Sequence, residues 1–385
     1  MRLLHLADLH IGKQVNEFPM IEDQRFILDR VLEIVRERKV DVLLLAGDIY
    51  DRASPSAEAV ACLDGFLSAV ARSGAACFAV PGNHDSAERI AYASELMAGN
   101  GVFFAPVYDG SIARRTLSDE YGDVVFWPIP FLKPAHVRTF FPDADIADYT
   151  AALDCAIGAC DIDPSVRNVA IAHQFVTFAG SAPERSDSEL SLGGVDNVDA
   201  RVFDAFDYVA LGHVHRPQRI GRDVVRYAGS PLKYSASEIR YPKSAPLVDL
   251  GPKGDVSVEL VPLAPLHDMR EVKGPLAALV SDETVSALSE RERADYLHVV
   301  LTDDFPPIDA LSSLRAVYPN VMSISYDNAR RTPGGAPADA GGIDARDIDP
   351  AELFARFYRE QNGNDPSAGQ YRTMLKALEE SEEDR

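Results

Sequence analysis

The chain is short of positive charge, with 38 Lys and Arg against 60 Asp and Glu and a formal net charge of -22. Bulk electrostatic grip on nucleic acid rests on Lys and Arg set against phosphates. Any contact with DNA must therefore be local, bridged by metal, or shared with a partner. The sequence also lacks a run approaching the roughly 18 uninterrupted apolar residues of a membrane helix. Its start, MRLLHLADLH, reaches His5 and Asp8 too soon for the apolar centre of a secretory leader. A cytoplasmic protein beginning at Met1 is expected. Cysteine is scarce: Cys62, Cys77, Cys155 and Cys160 follow no zinc spacing, and the last two are separated by four residues in the helix-like CAIGAC. Reduced core thiols are the expectation.

What the chain does contain is a series of apolar runs, each followed at once by polar residues: RLLHLADLH, VDVLLLAGDIYD, ACFAVPGNHD, NVAIAHQF and YVALGHVH. Short Val/Leu/Ile/Ala runs without alternation suit strands buried on both faces. Helical patterns lie between the early ones. In MIEDQRFILDRVLEIVRERK, Ile27, Val31, Ile34 and Val35 share a face. The next helix is expected to take Ser54 as N-cap and Pro55 at N1, to bury Val60, Leu63, Leu67 and Val70, and to stop at Gly74. This alternation predicts α/β architecture, with sites outside the carboxyl ends of the strands.

A first domain is expected over residues 1–262, closing with VVRYAGSPLKYS and PLVDLGPKGDVSVEL as strands around a Gly-containing turn. Residues 263–331 read as a smaller α/β unit with strands in DYLHVVLTD and VMSISY and a helix around IDALSSLRAVY. TPGGAPADAGG makes 332–346 a linker by composition. Residues 347–385 then carry two amphipathic helices. Leu353, Phe354 and Phe357 on the first, and Met374, Leu375 and Leu378 on the second, need a surface to cover, on this chain or on another.

The polar clusters are Asp8 and His10 (D-x-H), Asp48 and Asp51 (G-D-x-x-D), Asn83 and His84 (G-N-H-D), His173, and His213 and His215 (G-H-x-H). On extended chain, residues two apart project the same way, so each D-x-H or H-x-H pair can present two ligands. Mixed nitrogen and oxygen donors without thiolate suit Mn, Fe or Zn. Asp8, His10, Asp48, Asn83, His173, His213 and His215 exceed what one tetrahedral ion can use. Two ions about 3.5–4 Å apart would use them, with Asp48, central in chain order, as the bridging carboxylate. Unpaired His and Asp gathered in one crevice would carry large desolvation and repulsion costs unless metal offset them. Asp51 and Asp85 read as supports behind the ligands. His5 and His298 read as core or surface histidines.

D-x-H, G-D-x-x-D, G-N-H-D, a lone His and G-H-x-H in that order resemble the calcineurin-like metallophosphoesterase superfamily, whose fold is two packed sheets flanked by helices. SDSELSLGGVDNVDARVFDAFDYVALGHVHRPQ and RYAGSPLKYSASE narrow the resemblance to the nuclease subunits of the bacterial SbcCD double-strand-break repair complex. It implies one ion on Asp8, His10 and His215, another on Asn83, His173 and His213, and Asp48 joining them. The metals are usually manganese in that family. His84 resembles the family's catalytic histidine near the leaving oxygen. The resemblance further implies an SbcC-type ATPase partner with a coiled coil for the tail helices, a DNA-capping role for the small unit, double-stranded ends and hairpins as substrate, and a homodimer within a heterotetramer.

The function expected is therefore an Mn-dependent DNA nuclease, a 3'-5' exonuclease, an endonuclease, or both. Two alternatives stand beside it. A small-molecule phosphomonoesterase or cyclic-nucleotide phosphodiesterase would use the same metals but would need neither the extra unit nor a docking tail. An end-tethering scaffold for the ATPase would need no intact His84.

Overall fold

The computed structural model describes residues 1–187, 189, 196–327, 352, 355, 358–359 and 365–383. The chain divides into two units, Met1–Arg270 and Glu271–Arg385. Residues 263–270, assigned above to the small unit, hold to the first by polar contacts. The amide of His267 donates to Asp23 Oδ1 at 2.9 Å, and Lys233 Nζ donates to the Met269 carbonyl at 3.3 Å.

In the first unit the strands of the two main sheets are β1 (Arg2–Leu6), β2 (Val42–Ala46), β3 (Ala76–Val80), β4 (Val102–Phe104), β5 (Arg115–Asp119), β6 (Gly122–Ile129), β7 (Arg167–His173), β8 (Tyr208–Gly212), β9 (Gln218–Ile220), β10 (Arg222–Tyr227), β11 (Ser244–Leu250) and β12 (Val256–Pro262). They form two six-stranded sheets, ordered β12-β11-β1-β2-β3-β4 and β9-β10-β8-β7-β6-β5. β1 to β4 run parallel, as do β6, β7, β8 and β10, and antiparallel strands lie at the outer edges. The apolar runs read from the sequence are the central strands, and β2, β7 and β8 are buried along their whole length.

The sheets face each other across one core. Leu3, Val42, Leu44, Phe78 and Val80 of the first sheet pack against Val124, Phe126, Val169, Ile171 and Ala210 of the second. Phe78 stacks on Phe126 across the gap with centroids 4.5 Å apart. A second core lies on the other face of the second sheet, where Ala152, Leu153 and Ala156 of a helix at Tyr149–Gly158 meet Trp127, Ala170, Ala172 and Val209.

Two long helices precede it in the chain, α1 (Ile21–Glu37) and α2 (Ala57–Ser73), and they pack on one another. α1 buries Ile27, Val31, Ile34 and Val35 as its periodicity requires. α2 departs from expectation at its start. Ser56, not Ser54, is the N-cap, its hydroxyl accepting from the Ala59 amide at 3.2 Å. The shift moves the apolar face to Ala59, Cys62, Leu63, Phe66, Leu67 and Val70 and leaves Val60 exposed. Gly74 ends the helix at φ 84, a left-handed cap that glycine adopts without strain.

The second unit contains a three-stranded sheet whose first strand, Met269–Gly274, spans the boundary, followed by Tyr296–Leu301 and Val321–Tyr326. A helix at Ala310–Arg315 places Ala310 and Leu314 with Leu297, Val299, Leu301, Tyr318 and Val321 in its core. The tail contributes a helix at Ala368–Glu383. The fold is thus a two-sheet α/β sandwich flanked by helices, with a smaller α/β unit and a C-terminal helix. No helix among the described residues is long and apolar enough to cross a membrane.

Candidate metal centre

β1, β2 and β3 of one sheet and β7 and β8 of the other deliver their carboxyl ends to a single edge of the sandwich. The segment after β1 runs beside the segment after β2: the Asp8 amide donates to the Gly47 carbonyl at 3.0 Å and the His10 amide to the Asp48 carbonyl at 2.9 Å. The D-x-H and H-x-H pairs do not project from extended strand as their spacing suggests. Asp8, His10, Asp48 and His213 take φ of 53, 44, 47 and 104, the left-handed region that side chains rarely adopt. Such strain gathered at one place is a mark of a site held in shape by its surroundings. Close approach of the sheets demands glycine there too. A Cβ on Gly212 would overlap the Ala46 carbonyl, and one on Gly82 would overlap Asp48.

Asp48 is the hub. Its Oδ2 lies 3.4 Å from Nε2 of His173, 3.7 Å from Nε2 of His10 and 4.0 Å from Nε2 of His84, while Oδ1 accepts from the His84 amide at 2.9 Å. On one side, Asp8, His10 and His215 bring donor atoms together, with Nε2 of His10 and His215 facing each other at 3.1 Å. On the other, Oδ1 of Asn83 lies 3.0 Å from both Nε2 of His173 and Nδ1 of His213. The Ala46 carbonyl accepts from Nδ1 of His173 at 2.9 Å, which turns the Nε2 lone pair inward. The residues fit a pair of divalent cations. Asp8 Oδ2 is buried without a hydrogen-bond partner among the described residues, an unmet charge that a cation among these donors would offset.

Burial pushes the Asp8 carboxyl up to about 6. Burial likewise lifts Asp85 to about 6, helped by the charge of Asp48. Asp48 resists its own burial because His173, and then His10, hold it well below the usual carboxylate range. Burial works against charge on His173, yet the Asp48 carboxylate outweighs it and lifts that imidazole to about 9. His213, desolvated and beside His173, falls to about 3. Negative charge is thus concentrated on the central carboxylate.

Residues 1–217 match the family profile of the calcineurin-like phosphoesterases. The chain belongs to this family. Its members are metal-dependent phosphoesterases, and the His and Asp groups above are where this phosphoesterase can hold divalent ions. Residues 265–362 match a second family, SbcD_C, described as the type 5 capsule protein repressor C-terminal domain. Among curated relatives, the SbcD component of the nuclease SbcCD from Staphylococcus epidermidis is 29% identical over 328 residues, covering 84% of this chain and 85% of that protein. Among solved structures, a dimetal phosphatase from Danio rerio is 11% identical and covers 69% of this chain and 99% of its own. GAP50, the anchor in the inner membrane complex of Plasmodium, is 12% identical with coverage of 87% and 99%. Both have a TM-score of 0.39.

The remaining expected residues fall as follows. Asp85 accepts from the amides of Ile49, Tyr50 and Gly82 at 3.0, 2.9 and 2.9 Å and so locks the Asp48 loop to the Asn83 loop. Asp51 accepts from Lys13 Nζ at 2.7 Å and lies 3.6 Å from Nδ1 of His10. Its carbonyl is 3.0 Å from Nδ1 of His84, whose side chain is 31% exposed. His5 is a core residue, with Nδ1 3.0 Å from the Tyr208 hydroxyl, and His298 Nδ1 lies 2.6 Å from Ser323 Oγ. Leu353, Phe354, Phe357 and the side chain of Leu378 lie outside the described residues, while Met374 is half-buried and Leu375 exposed.

Sequence reasoning missed Gln24, Glu189, Glu238 and Lys243. Gln24 Nε2 donates to the His10 carbonyl at 2.7 Å, and Glu189 Oε1 accepts from the His215 amide at 2.8 Å. Glu238 is fully buried against His215, and Lys243 outweighs that burial and holds its carboxyl well below the usual range. Glu189 and Glu238 lie within the stretches that carry the family resemblance, SDSEL and RYAGSPLKYSASE, but nothing in their spacing marks a contact with His215.

Proposed function

We propose that this phosphoesterase is a two-metal DNA nuclease of the SbcCD type. One ion belongs to Asp8, His10 and His215, the other to Asn83, His173 and His213, and Asp48 is shared. The observation that carries the reading is the position of Asp48 Oδ2 within 4.0 Å of ring nitrogens on His10, His84 and His173, between the two donor groups. Manganese is the ion we assign. When bound, the ions activate water and neutralise charge on the scissile phosphate.

The chain's own residues do the rest. Burial of Asp8, His10, Asp48, His173 and His215 fixes their donor atoms, while Asn83 and His213 lie at the open side of the group. His84 keeps Nδ1 against the Asp51 carbonyl, so the proton it can pass to a leaving alkoxide is the one on Nε2, on the side facing Asp48. Asp85 and Asp51 hold the two loops that carry Asp48, Asn83 and His84. A cavity of about 410 Å³ beside Asp51 is lined by Lys13, Arg52, Ser54 and Ser56. Asp51 and Glu58 line it too and Asp51 holds Lys13, so what it offers backbone phosphates is chiefly the Arg52 guanidinium and the two serine hydroxyls.

The DNA substrate and the partner rest on similarity to the S. epidermidis nuclease component over 84% of this chain and on the match of residues 265–362 to SbcD_C. On that reading the nuclease domain, expected over residues 1–262, runs on to Arg270, and the unit that follows it, expected over 263–331, caps DNA. The tail beyond the 332–346 linker docks on an SbcC-type ATPase, and two copies join in the cytoplasm at the nucleoid. Its acidic balance leaves much of the basic DNA surface to that ATPase.

The test is hydrolysis in manganese of linear and hairpin duplex DNA beside a nucleoside monophosphate and a cyclic nucleotide. Cleavage of DNA ends or hairpins with little turnover of the small esters is expected. Rapid turnover of a small ester that excess duplex fails to inhibit would move the assignment to a small-molecule phosphatase.

A further inference from the structure

The imidazole of His215 is held from behind by a set of polar contacts from outside the five short polar clusters. Its Nδ1 lies 3.2 Å from Oε1 of Glu238. Oε2 of Glu238 accepts from Lys243 Nζ at 2.5 Å and from the Ser230 hydroxyl at 3.3 Å. Lys243 also donates to the His215 carbonyl at 2.9 Å and to Ser230 Oγ at 2.7 Å. Glu238 is 0% and Lys243 5% exposed.

A buried ion pair is poor evidence of stabilisation, because apolar residues of similar volume often do as well. The informative feature is direction. A carboxylate only accepts, so Glu238 Oε1 keeps the His215 hydrogen on Nδ1 and leaves the Nε2 lone pair facing His10 Nε2. An ammonium only donates, so Lys243 claims Oε2 and leaves Oε1 for the ring. Lys243 fixes the ligand's backbone through the same nitrogen.

We propose that Glu238 is a positioning residue of the metal centre, setting the tautomer and ring plane of His215, and that Lys243 sets which Glu238 oxygen faces the ring. The inference rests on the two-metal reading above. It makes a specific prediction for the isosteric Glu238→Gln. Lys243 would take the amide oxygen and turn the amide NH2 toward His215, which would then carry its hydrogen on Nε2, the ligand atom. Adding Lys243→Met removes the competing donor and frees the amide oxygen for Nδ1–H.

The experiment is calorimetric titration of Mn into metal-free wild type, Glu238→Gln and Glu238→Gln/Lys243→Met, with thermal melts of each metal-free protein. Wild type should bind two ions. Glu238→Gln should weaken one of them about ten- to a hundredfold, as loss of a ligand's supporting partner does, and leave the other near its wild-type affinity. The double variant should recover part of the loss, which a purely structural role would not allow. Wild-type affinities in Glu238→Gln, or a double variant weaker than the single, would overturn the proposal while the two-metal reading stands. Wild type that binds no Mn would overturn both. Should Glu238→Gln fail to fold, Glu238→Gln/Lys243→Met is set against Glu238→Leu/Lys243→Met. Weaker binding of one ion in the second supports the proposal, and equal binding overturns it.

Discussion

Oδ2 of Asp48 lies 3.4 Å from Nε2 of His173, and this contact joins the end of a strand in one sheet to the end of a strand in the other. Because the same oxygen also faces His10, losing its charge should be felt by both donor groups. Asp48→Asn is expected to bind fewer than two Mn ions and to lose at least about a thousandfold in kcat/KM, roughly 4 kcal/mol of transition-state stabilisation. Metal analysis after dialysis checks the first part, and full occupancy would remove Asp48 from its bridging role.

The closeness of the sheets gives a prediction independent of catalysis. Gly212→Ala puts a methyl group into the Ala46 carbonyl, a rigid backbone atom that cannot turn aside. The cost should be about 3 kcal/mol or more, at the upper end for overpacking, and denaturant unfolding measures it. An unchanged unfolding midpoint would mean that the sheets are farther apart than described.

Ser56 and Ser54 separate two possible starts for α2. Ser56→Ala should cost about 1 kcal/mol, the usual value of a lost N-cap, because the Ala59 amide loses its acceptor. Ser54→Ala should cost less, since Ser54 caps nothing and only accepts from exposed Arg89. Equal costs in thermal melts would return the cap to Ser54.

At the opposite end of the sandwich, Asp119 holds the buried Arg167 guanidinium, one contact being 3.0 Å, and accepts from the Met1 amino group at 2.8 Å. The Arg167 hydrogen bonds keep its carboxyl well below the usual carboxylate range. An unfolded Asp titrates near about 3.9, so the stabilisation is complete above that pH. It fades as pH falls toward the lower folded value, because the unfolded chain binds a proton first. Asp119→Asn should lower stability by on the order of 3 kcal/mol at pH 7, as breaking a buried pair does. The gap from wild type should narrow below about pH 4. A gap independent of pH between 7 and 3.5 would deny the ion pair that role.

Much of the candidate site was legible because each candidate ligand ends an apolar run, and such runs become parallel strands whose carboxyl ends share an edge. Asp48 and Asn83 illustrate this: each follows a strand buried through most of its length. The means by which Asp8 and His10 converge was not legible. Two-residue spacing suggests extended chain, whereas both sit at positive φ, imposed by backbone bonds to the segment after β2. Glu238 and Lys243 were missed for a related reason. They lie on a short turn and a strand entry, far in sequence from His10, and no periodicity marks a contact made only by folding. The cap of α2 went to the wrong serine because SPS offers two, and the choice depends on which amide the helix leaves open.

The account is tested most directly by cleavage of end-labelled linear and hairpin duplex DNA in manganese, comparing wild type with His84→Ala and measuring metal content in both. Wild type should cleave, and His84→Ala should hold the same two ions yet cleave at least about a hundredfold more slowly, the range of a lost proton donor. A His84→Ala protein that cleaves as fast as wild type, or that comes out without metal, would contradict the separation of ligands from proton donor on which the mechanism depends.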